Sequence, residues 1–395
     1  MRRWLIVVVL GSLAGLLLLF PAAKLIAQVT PEFGGPLADL PASMIAGFET
    51  GKQAFMRVET PATGLGPVYN GKSCVECHSV PTPGGSGASL DTRATRFAQQ
   101  LEGQPFNPLL NLGGPNLQKD SVADDLPSCH LAGEVVPPQA NLTGRRQPPP
   151  LFGLGLIQAI PDTAILANAD PNDANGDGIA GRANIDNGII GRFGWKATSP
   201  TILHFVGLAL VNELGITNHL FPSEMSPQGQ PIPPGCKLTS DPEDADASRL
   251  AGITNFLTFL SPPPRGPITD AVLRGEAIFK QVDCASCHSP SLKTGGSPVP
   301  ALNQRDVPLF SDLLTHYMGG ALDDRIPEGA VGGGRWRTAP LWGLRVRQFY
   351  LHDARTSDLV AAIRFHGGEA RQVRDRFFAL PLQDQGDLIA FLRSL

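Results

Sequence analysis

The sequence has no excess of basic residues, since 32 lysines and arginines stand against 36 aspartates and glutamates. A net charge of −4 lacks the basic footprint of a nucleic-acid binder, so we expect no nucleic-acid partner. Aromatic residues are also scarce, at 7% of the chain. Glycine and proline are abundant, with 44 and 37 copies, which predicts long ordered loops between short helices. The length of 395 residues suggests two or three domains.

An uncharged apolar run at residues 5–20 follows Arg2 and Arg3 near the N-terminus. This order is typical of an export signal, and the run is intermediate in length between a signal peptide and a membrane span. We therefore assign residues 1–28 to a leader that is either removed or kept as a membrane anchor. Either outcome predicts a periplasmic protein, soluble or tethered to the inner membrane by this segment.

Only six cysteines are present, and four of them form two C-x-x-C pairs. The other two, Cys129 and Cys236, are isolated in the sequence. Because an exported protein meets an oxidising compartment, we favour a disulfide between them over two buried thiols.

Each C-x-x-C pair is followed directly by a histidine. The two motifs consist of Cys74, Cys77 and His78, and of Cys284, Cys287 and His288. Two thiols one helical turn apart each add to a haem vinyl group, and the adjacent histidine binds the iron, which is the attachment signature of c-type haem. A zinc site would not require either histidine, and a thioredoxin-like pair would need a βαβ context that neither motif has. The sequence thus predicts two covalently bound c-type haems, with His78 and His288 as axial ligands.

The surroundings of the two motifs repeat in the same order. Three pairs of segments match: 51–55 with 275–279, 150–154 with 340–344, and 253–260 with 388–395. Such self-similarity implies a duplicated unit. A proline-rich linker at 261–267 places the boundary, which gives an N-terminal haem domain at 29–262 and a C-terminal haem domain at 263–395. We expect a mainly α fold of two cytochrome c-like domains with long Pro/Gly-rich loops and little β structure beyond short hairpins.

With the segments WRTAPLWGL at 336–344 and YLHDAR at 350–355, the sequence resembles the bacterial di-haem cytochrome c peroxidase superfamily, and most closely its di-haem oxidoreductase branch. The resemblance covers most of the mature chain and is strongest in the second domain. It implies that the first haem reduces hydrogen peroxide. It also implies that the second haem receives electrons from a small donor protein such as a monohaem cytochrome. The superfamily includes an enzyme that modifies a protein, the one that matures methylamine dehydrogenase.

The resemblance also nominates a second axial ligand for the second haem. Family peroxidases have a methionine at the position of His366, which stands 14 residues after the turn histidine His352. A pair of histidines gives a lower potential than His/Met, so the usual electron-accepting role of this haem is in doubt. The alternative is that His366 is a surface residue, in which case His316, Met318 and His352 are the next candidates.

A peroxidatic haem needs an acid–base group that takes a proton from peroxide and returns it to the departing oxygen. Segment 221–225 (FPSEM) resembles the family stretch that carries this glutamate, which nominates Glu224 as the catalytic residue. A solvated glutamate is the alternative, and Glu213 on the preceding apolar helix is the other candidate acid. If His204 or His219 bound the iron of the first haem at its sixth position, that haem would have no open position for peroxide. Trp195 is expected to be a core residue or to lie between the haems, as a family tryptophan does.

Residues 173–178 (DANGDG) match the opening of an EF-type calcium loop. Asp173, Asn175 and Asp177 would supply the oxygen ligands, although Asn184 replaces the acid that closes such a loop. Ordinary Asx turns are the alternative. Because family peroxidases hold calcium between their haem domains, the resemblance favours a calcium ion here.

Together these patterns predict a di-haem oxidoreductase of the cytochrome c peroxidase type. Hydrogen peroxide would be reduced at the first haem, and electrons would enter through the second. Two other functions stay open. One is a non-catalytic electron carrier with both haems six-coordinate, and the other is an oxidoreductase that modifies a protein or thiol partner.

Overall fold

The structure, a computed structural model, describes residues 33–395, which belong to one compact unit of residues 31–395. The leader predicted at 1–28 lies outside the described residues. Within residues 33–395, no helix combines the length and the apolar character that crossing a membrane requires. The predicted boundary at 262/263 falls in a segment without regular structure, and the division into two domains stays a prediction.

Helix is the main regular structure of the described residues, in agreement with the mainly α prediction. The helices are α1 (Ala42–Met56), α2 (Cys74–Cys77), α3 (Leu154–Ala159), α4 (Asp162–Leu166), α5 (Ile202–Glu213), α6 (Ser248–Phe259), α7 (Asp270–Gln281), α8 (Leu359–Arg364), α9 (Arg371–Ala379) and α10 (Leu382–Leu392). Helix α7 shows why they form, since the Thr269 hydroxyl caps it by accepting the Val272 N–H at 3.3 Å. Its buried residues Val272, Gly275, Ile278 and Phe279 recur at helical spacing on one face.

The segments that repeat in the sequence form two similar pairs of crossing helices. Helix α1 packs on α6, and α7 packs on α10 in the same way. A Cβ at Gly51 of α1 would lie 2.2 Å from the Gly252 carbonyl oxygen, and one at Gly275 of α7 would lie 2.0 Å from the Asp387 carbonyl oxygen. Only glycine permits helices to approach this closely. The segments that matched in sequence therefore match in structure.

A second repeated contact ties the turn at 150–154 to the end of the closing helix. The Gly153 N–H donates to the Leu260 carbonyl at 3.1 Å, and the Gly343 N–H donates to the Leu395 carbonyl at 2.8 Å. Both glycines have positive φ, at +69° and +80°, a conformation that favours glycine. The two halves thus close by the same hydrogen bond.

The strands of the described residues are short. They are β1 (Val68–Tyr69), β2 (Ala94–Ala98), β3 (Asn116–Leu117), β4 (Asp120–Ser121), β5 (Leu142–Arg146), β6 (Ile185–Asp186), β7 (Ile189–Ile190), β8 (Leu292–Lys293), β9 (Asp306–Val307), β10 (Thr315–Tyr317) and β11 (Arg335–Arg337). One sheet goes beyond the short hairpins that the sequence predicts, since it has three antiparallel strands in the order β3-β2-β5. Strands β2 and β5 pair over their full length although 43 residues separate them, and such distant pairing leaves no local signal.

The predicted disulfide is confirmed, because Cys129 and Cys236 are bonded across a sequence separation of 107 residues. Both cysteines belong to a large apolar core that also contains residues of α1, α3, α5 and α6. A second apolar core is built from α7, α8, α9, α10 and nearby loop residues. Each haem motif therefore lies beside a core of its own.

Candidate haem sites

The first motif occupies the short helix α2, and His78 follows directly as its C-cap. The His78 Nδ1–H donates to the carbonyl oxygens of Pro149 at 3.0 Å and Gly85 at 3.2 Å. Burial lowers the pKa of His78 to about 4, so the ring is neutral at neutral pH. A neutral imidazole whose Nδ1–H is held by a carbonyl offers its Nε2 to a metal, which is the usual arrangement of a histidine ligand.

The second motif repeats this arrangement. The His288 Nδ1–H donates to the Phe310 carbonyl at 2.9 Å, and burial lowers the pKa of His288 to about 4. Each histidine also lies beside a phenylalanine of the preceding long helix. The ring centroids of Phe55 and His78 are 6.4 Å apart, as are those of Phe279 and His288. Both motifs are thus held in the same local frame.

The four motif cysteines are free thiols, and burial disfavours ionisation of three of them. Burial raises the pKa of Cys74, Cys77 and Cys284 to about 12, whereas redox-active pairs of the thioredoxin type have lowered pKa values. A zinc cluster is also excluded within residues 33–395. There, the group of three potential ligands that converges is made of carboxylates and contains no cysteine. The described residues therefore support neither a redox-active thiol pair nor a zinc cluster.

A cavity of about 200 Å³ opens at the second motif. Cys284, Cys287 and His288 line it, and so does His366. The His366 Nδ1–H donates to the Ala362 carbonyl at 2.9 Å, which leaves Nε2 as the nitrogen available to a metal. The structure thus brings His366 to the same cavity as His288, as a second axial ligand requires, while the ligation itself stays a prediction.

His316, a further candidate ligand of the second haem, is already engaged by two carboxylates. Its Nε2 lies 2.9 Å from Asp312 Oδ2, and its Nδ1 lies 2.9 Å from Glu369 Oε2. Burial lowers the pKa of His316. Hydrogen bonds to Asp312, Cys287 and Glu369 outweigh burial and raise this pKa well above its ordinary value. A protonated imidazole between two carboxylates has no lone pair for iron.

Met318 and His352, which the sequence also nominates as ligands, line the same cavity. His352 stacks on the Trp336 indole, with ring centroids 3.6 Å apart. Burial lowers the pKa of His352 to about 3, so this ring is neutral. The stack holds His352 as part of the cavity wall.

Arg347 provides a test of whether the cavity suits a haem. Its side chain makes no hydrogen bond or ion pair with the described residues, and its Nε and Nη2 are buried without a partner. A buried guanidinium without an anion is costly, and a haem carries two propionate carboxylates that match its geometry. Paired thiols, two imidazoles and an unpartnered cation on one cavity therefore fit a covalently bound haem. Nothing in the local sequence pattern had marked Arg347 as part of the site.

One acid near the first motif is Glu213, at the C-terminus of α5. Its Oε2 accepts a hydrogen bond from Asn70 Nδ2 at 3.0 Å, and its carbonyl accepts the Asn70 N–H at 2.7 Å. Burial raises the pKa of Glu213. After burial, the charge of Glu213 is the largest contribution raising the pKa of Cys77, which places the carboxylate close to that thiol.

Glu224 lies in a different environment, a cluster with Lys237, Asp241 and Glu243. Lys237 Nζ is 2.5 Å from Glu224 Oε1 and 2.6 Å from Glu243 Oε1. Burial, and then the charge of Glu243, raises the pKa of Glu224 to about 7, although Lys237 opposes this shift. The hydrogen-bond partner of Glu224 is thus Lys237 rather than a residue of the first motif, and its catalytic role stays a prediction.

His204 and His219 are the histidines that could close the first haem. His204 Nδ1 lies 3.1 Å from the Ser199 hydroxyl, and the His204 ring meets Phe221 edge to face. His219 is exposed. In the described residues, neither histidine side chain forms a hydrogen bond with a residue of the first motif.

Trp195 lies between the surroundings of the two motifs. Its indole lines the cavity of the second motif, and its Nε1–H donates to the Gln147 carbonyl at 2.8 Å. Gln147 precedes by two residues Pro149, whose carbonyl holds His78. A position of Trp195 between the two haems stays a prediction.

The model of a family described as "Di-haem oxidoreductase, putative peroxidase" matches residues 121–395. The chain belongs to this family. The match includes the second motif, α5 with Glu213, and both arms of the disulfide. The resemblance inferred from the sequence is thereby confirmed.

Several solved structures are similar to this di-haem oxidoreductase at low identity. Hydrazine synthase of Kuenenia stuttgartiensis shares 15% identity over 98% of this chain and 100% of that chain, with a TM-score of 0.40. The diheme peroxidase BthA of Burkholderia thailandensis shares 16% over 89% of this chain and 86% of that chain, with a TM-score of 0.40. A MauG-like protein associated with microbial copper homeostasis shares 15% over 92% and 93%, with a TM-score of 0.39. Among curated proteins, none matches the chain.

The predicted calcium loop of this di-haem oxidoreductase is closed by its own hydrogen bonds. Asp173 Oδ1 accepts the Gly178 N–H at 3.0 Å, Asn175 Oδ1 accepts the Asp177 N–H at 2.9 Å, and Asp177 Oδ1 accepts the Ile179 N–H at 2.8 Å. The bonds of Asn175 and Asp177 are Asx turns, which the sequence pattern also allows, whereas the bond of Asp173 spans five residues. Calcium binding at this loop stays a prediction.

Proposed function

We propose that this di-haem oxidoreductase is a peroxidase of the cytochrome c peroxidase type, which reduces hydrogen peroxide at its first haem. The observation that carries the proposal is a partly buried carboxylic acid, Glu213, whose Oε2 and backbone carbonyl are hydrogen-bonded to Asn70, four residues before Cys74, and whose pKa is raised by burial. A pKa shifted towards neutrality suits a group that must both accept and return a proton.

The chain would hold both haems through thioether links. Once bound at Cys74 and Cys77, and at Cys284 and Cys287, they would supply an iron centre for peroxide and an electron route to it. His78 and His288 would offer Nε2, while their Nδ1–H groups keep each ring oriented against a backbone carbonyl. His366 would complete the second site from the wall of the same cavity.

Glu213 would move the protons. Asn70 holds Oε2 by a hydrogen bond, which fixes the carboxyl group and leaves Oε1 to exchange a proton with peroxide. The carboxyl group would take the proton from one peroxide oxygen and return it to the departing oxygen. Glu224, in its cluster with Lys237, is the competing candidate for this role.

The remaining parts of the proposal concern the surroundings of the enzyme. We place it in the periplasm, either released from the leader at 1–28 or tethered by it. The electron donor would be a small protein such as a monohaem cytochrome, and its electrons would enter through the second haem. A calcium ion at Asp173, Asn175 and Asp177 would brace the loop that reaches Glu369 through Ala180, whose N–H donates to Glu369 Oε2 at 3.0 Å.

The deciding experiment uses the full-length protein produced with its haems. Pyridine haemochrome analysis should count two c-type haems per chain, and peroxide turnover should be measured with a reduced small cytochrome as donor. The control replaces Cys74 and Cys77 by serine, which should remove the first haem and abolish turnover while the second haem is retained. Two low-spin haems that do not respond to peroxide would identify an electron carrier. A high-spin haem without peroxidase turnover would favour an enzyme that modifies a protein or thiol.

A further inference from the structure

Two arginines of the second cavity have no carboxylate partner among residues 33–395. Arg347 makes no side-chain hydrogen bond, and its Nε and Nη2 are buried. Arg337 donates only to carbonyls, from Nε to Gly194 at 2.9 Å and from Nη1 to Thr338 at 3.4 Å. Other buried arginines of the fold have acids, as Arg146 has with Asp324 at 2.6 Å. The pair at the cavity therefore lacks the anions that buried guanidinium groups normally have.

The position of the two arginines indicates which anion is missing. Both line the cavity of the second motif, and both also line a small neighbouring cavity next to Pro149. Cys284 and Cys287 line the first of these cavities but not the second. The arginines thus line the part of the wall that continues into the neighbouring cavity, whereas the thiols do not. In a haem, the edge with the propionates lies opposite the edge whose vinyl groups react with cysteines.

We propose that Arg347, together with Arg337, binds the propionate carboxylates of the second haem. A guanidinium group donates two parallel hydrogen bonds to a carboxylate, which Arg347 is free to do with all of its nitrogens. This inference rests on the proposed function only in assuming that the second haem is present.

The consequence concerns the potential of that haem. Two histidine ligands lower the potential relative to His/Met, which makes the second haem a poorer electron acceptor. A fixed positive charge near the haem stabilises the reduced form, because reduction removes one positive charge from the iron. Arg347 would therefore offset part of the effect of His366 and return the second haem to a range in which a donor can reduce it.

The test measures the midpoint potentials of both haems in the full-length protein by spectroelectrochemistry. In Arg347→Gln the second haem should shift downward by about tenfold in its reduction equilibrium, or ~59 mV for one electron, while the first haem is unchanged. Arg347→Lys keeps the charge and should shift less. The matched control is Arg364→Gln, an exposed arginine that lies over Phe378 and does not line the cavity.

An unchanged second-haem potential in Arg347→Gln, or an equal shift in Arg364→Gln, would overturn the assignment. If Arg347→Gln does not incorporate haem, resonance Raman spectra of Arg347→Lys decide instead. The propionate bending band should move in that variant, and an unmoved band rejects the contact. A shifted potential without peroxide turnover would support the arginine–propionate contact and reject the peroxidase function. Peroxide turnover with unshifted potentials would support the peroxidase function and reject the contact.

Discussion

The Trp336 indole lies flat against the His352 imidazole, with ring centroids 3.6 Å apart and an angle of 11° between the planes. The ammonium group of Lys196 lies 3.9 Å from the centroid of Trp336. Lys196 is fully buried, and it donates to three carbonyls of the 332–335 loop at 2.6 to 3.0 Å. One buried cation thus holds both the loop and the stacked rings in the wall of the second cavity.

Replacing Lys196 by methionine should destabilise the protein by about 3 kcal/mol, because three carbonyls lose their donor and the cation–π contact is lost. Denaturant unfolding of the haem-loaded protein measures this free energy. The control Lys293→Met changes an exposed lysine and should stay within about 0.5 kcal/mol of wild type. An unchanged unfolding midpoint in Lys196→Met would show that the buried ammonium contributes nothing.

Replacing His366 by methionine should raise the potential of the second haem, because a thioether ligand stabilises reduced iron more than an imidazole does. His366→Ala should convert this haem from low spin to high spin. Optical and EPR spectra report both changes. The control Met318→Leu alters another residue of the same cavity and should leave the spin state intact. A low-spin second haem in His366→Ala would mean that another residue is the ligand.

Glu213→Gln should lower peroxide turnover by about two to four orders of magnitude, because an amide cannot shuttle the proton. Glu224→Gln is the matched control and should retain near wild-type turnover, since Glu224 bonds to Lys237 instead. Steady-state kinetics with a reduced cytochrome measure both variants. The opposite pattern would establish Glu224 as the acid–base group, as the sequence motif predicts.

The stability of the protein should fall as the pH rises through the titration of Glu224. Burial raises its pKa from 4.5 to about 7, so the folded state favours the protonated carboxyl group. The resulting stabilisation is complete below about pH 4.5 and is lost as the pH rises through 7. Unfolding free energies measured between pH 5 and pH 8 should therefore decline more in wild type than in Glu224→Gln. Parallel profiles for the two proteins would contradict this assignment. Glu102→Gln, at an exposed position, is the control.

Replacing Cys129 and Cys236 by serine should cost about 4 kcal/mol of stability, because their disulfide closes a loop of 107 residues in the unfolded chain. Denaturant unfolding with and without reductant measures the effect. Wild type in reductant should match the double variant, and reductant should not alter the variant further. Equal stability of oxidised wild type and variant would show that the cross-link does not constrain the unfolded chain.

The features that the sequence predicted well depend on short-range spacing. The two motifs, the repeated segments and the closing helices each involve residues within a few turns of one another, so their pattern is visible in the chain. The matching contacts at Gly51 and Gly275 lie in segments 51–55 and 275–279, whose sequences are similar.

The features that the sequence missed depend on distant partners. Strand β2 pairs with β5 across 43 intervening residues, so neither strand has its partner nearby in the sequence. Spacing in the sequence does not choose between the two candidate acids, because Glu213 bonds to Asn70 across 143 positions and Glu224 bonds to Lys237 across 13. Arg347 could not be recognised because the partner we propose for it is not an amino acid.

At the crossings the glycine Cα of Gly51 faces the Gly252 carbonyl, and that of Gly275 faces the Asp387 carbonyl. Because a side chain would not fit at either glycine, the spacing between the two helices of each crossing is fixed in the same way. The aromatic pairs next to each crossing have matching separations, since the Phe55–Phe256 ring centroids are 5.1 Å apart and the Phe279–Phe391 ring centroids are 5.2 Å apart. The chain between α1 and α6 is much longer than the chain between α7 and α10, yet the helix pair beside each cysteine motif keeps the same spacing.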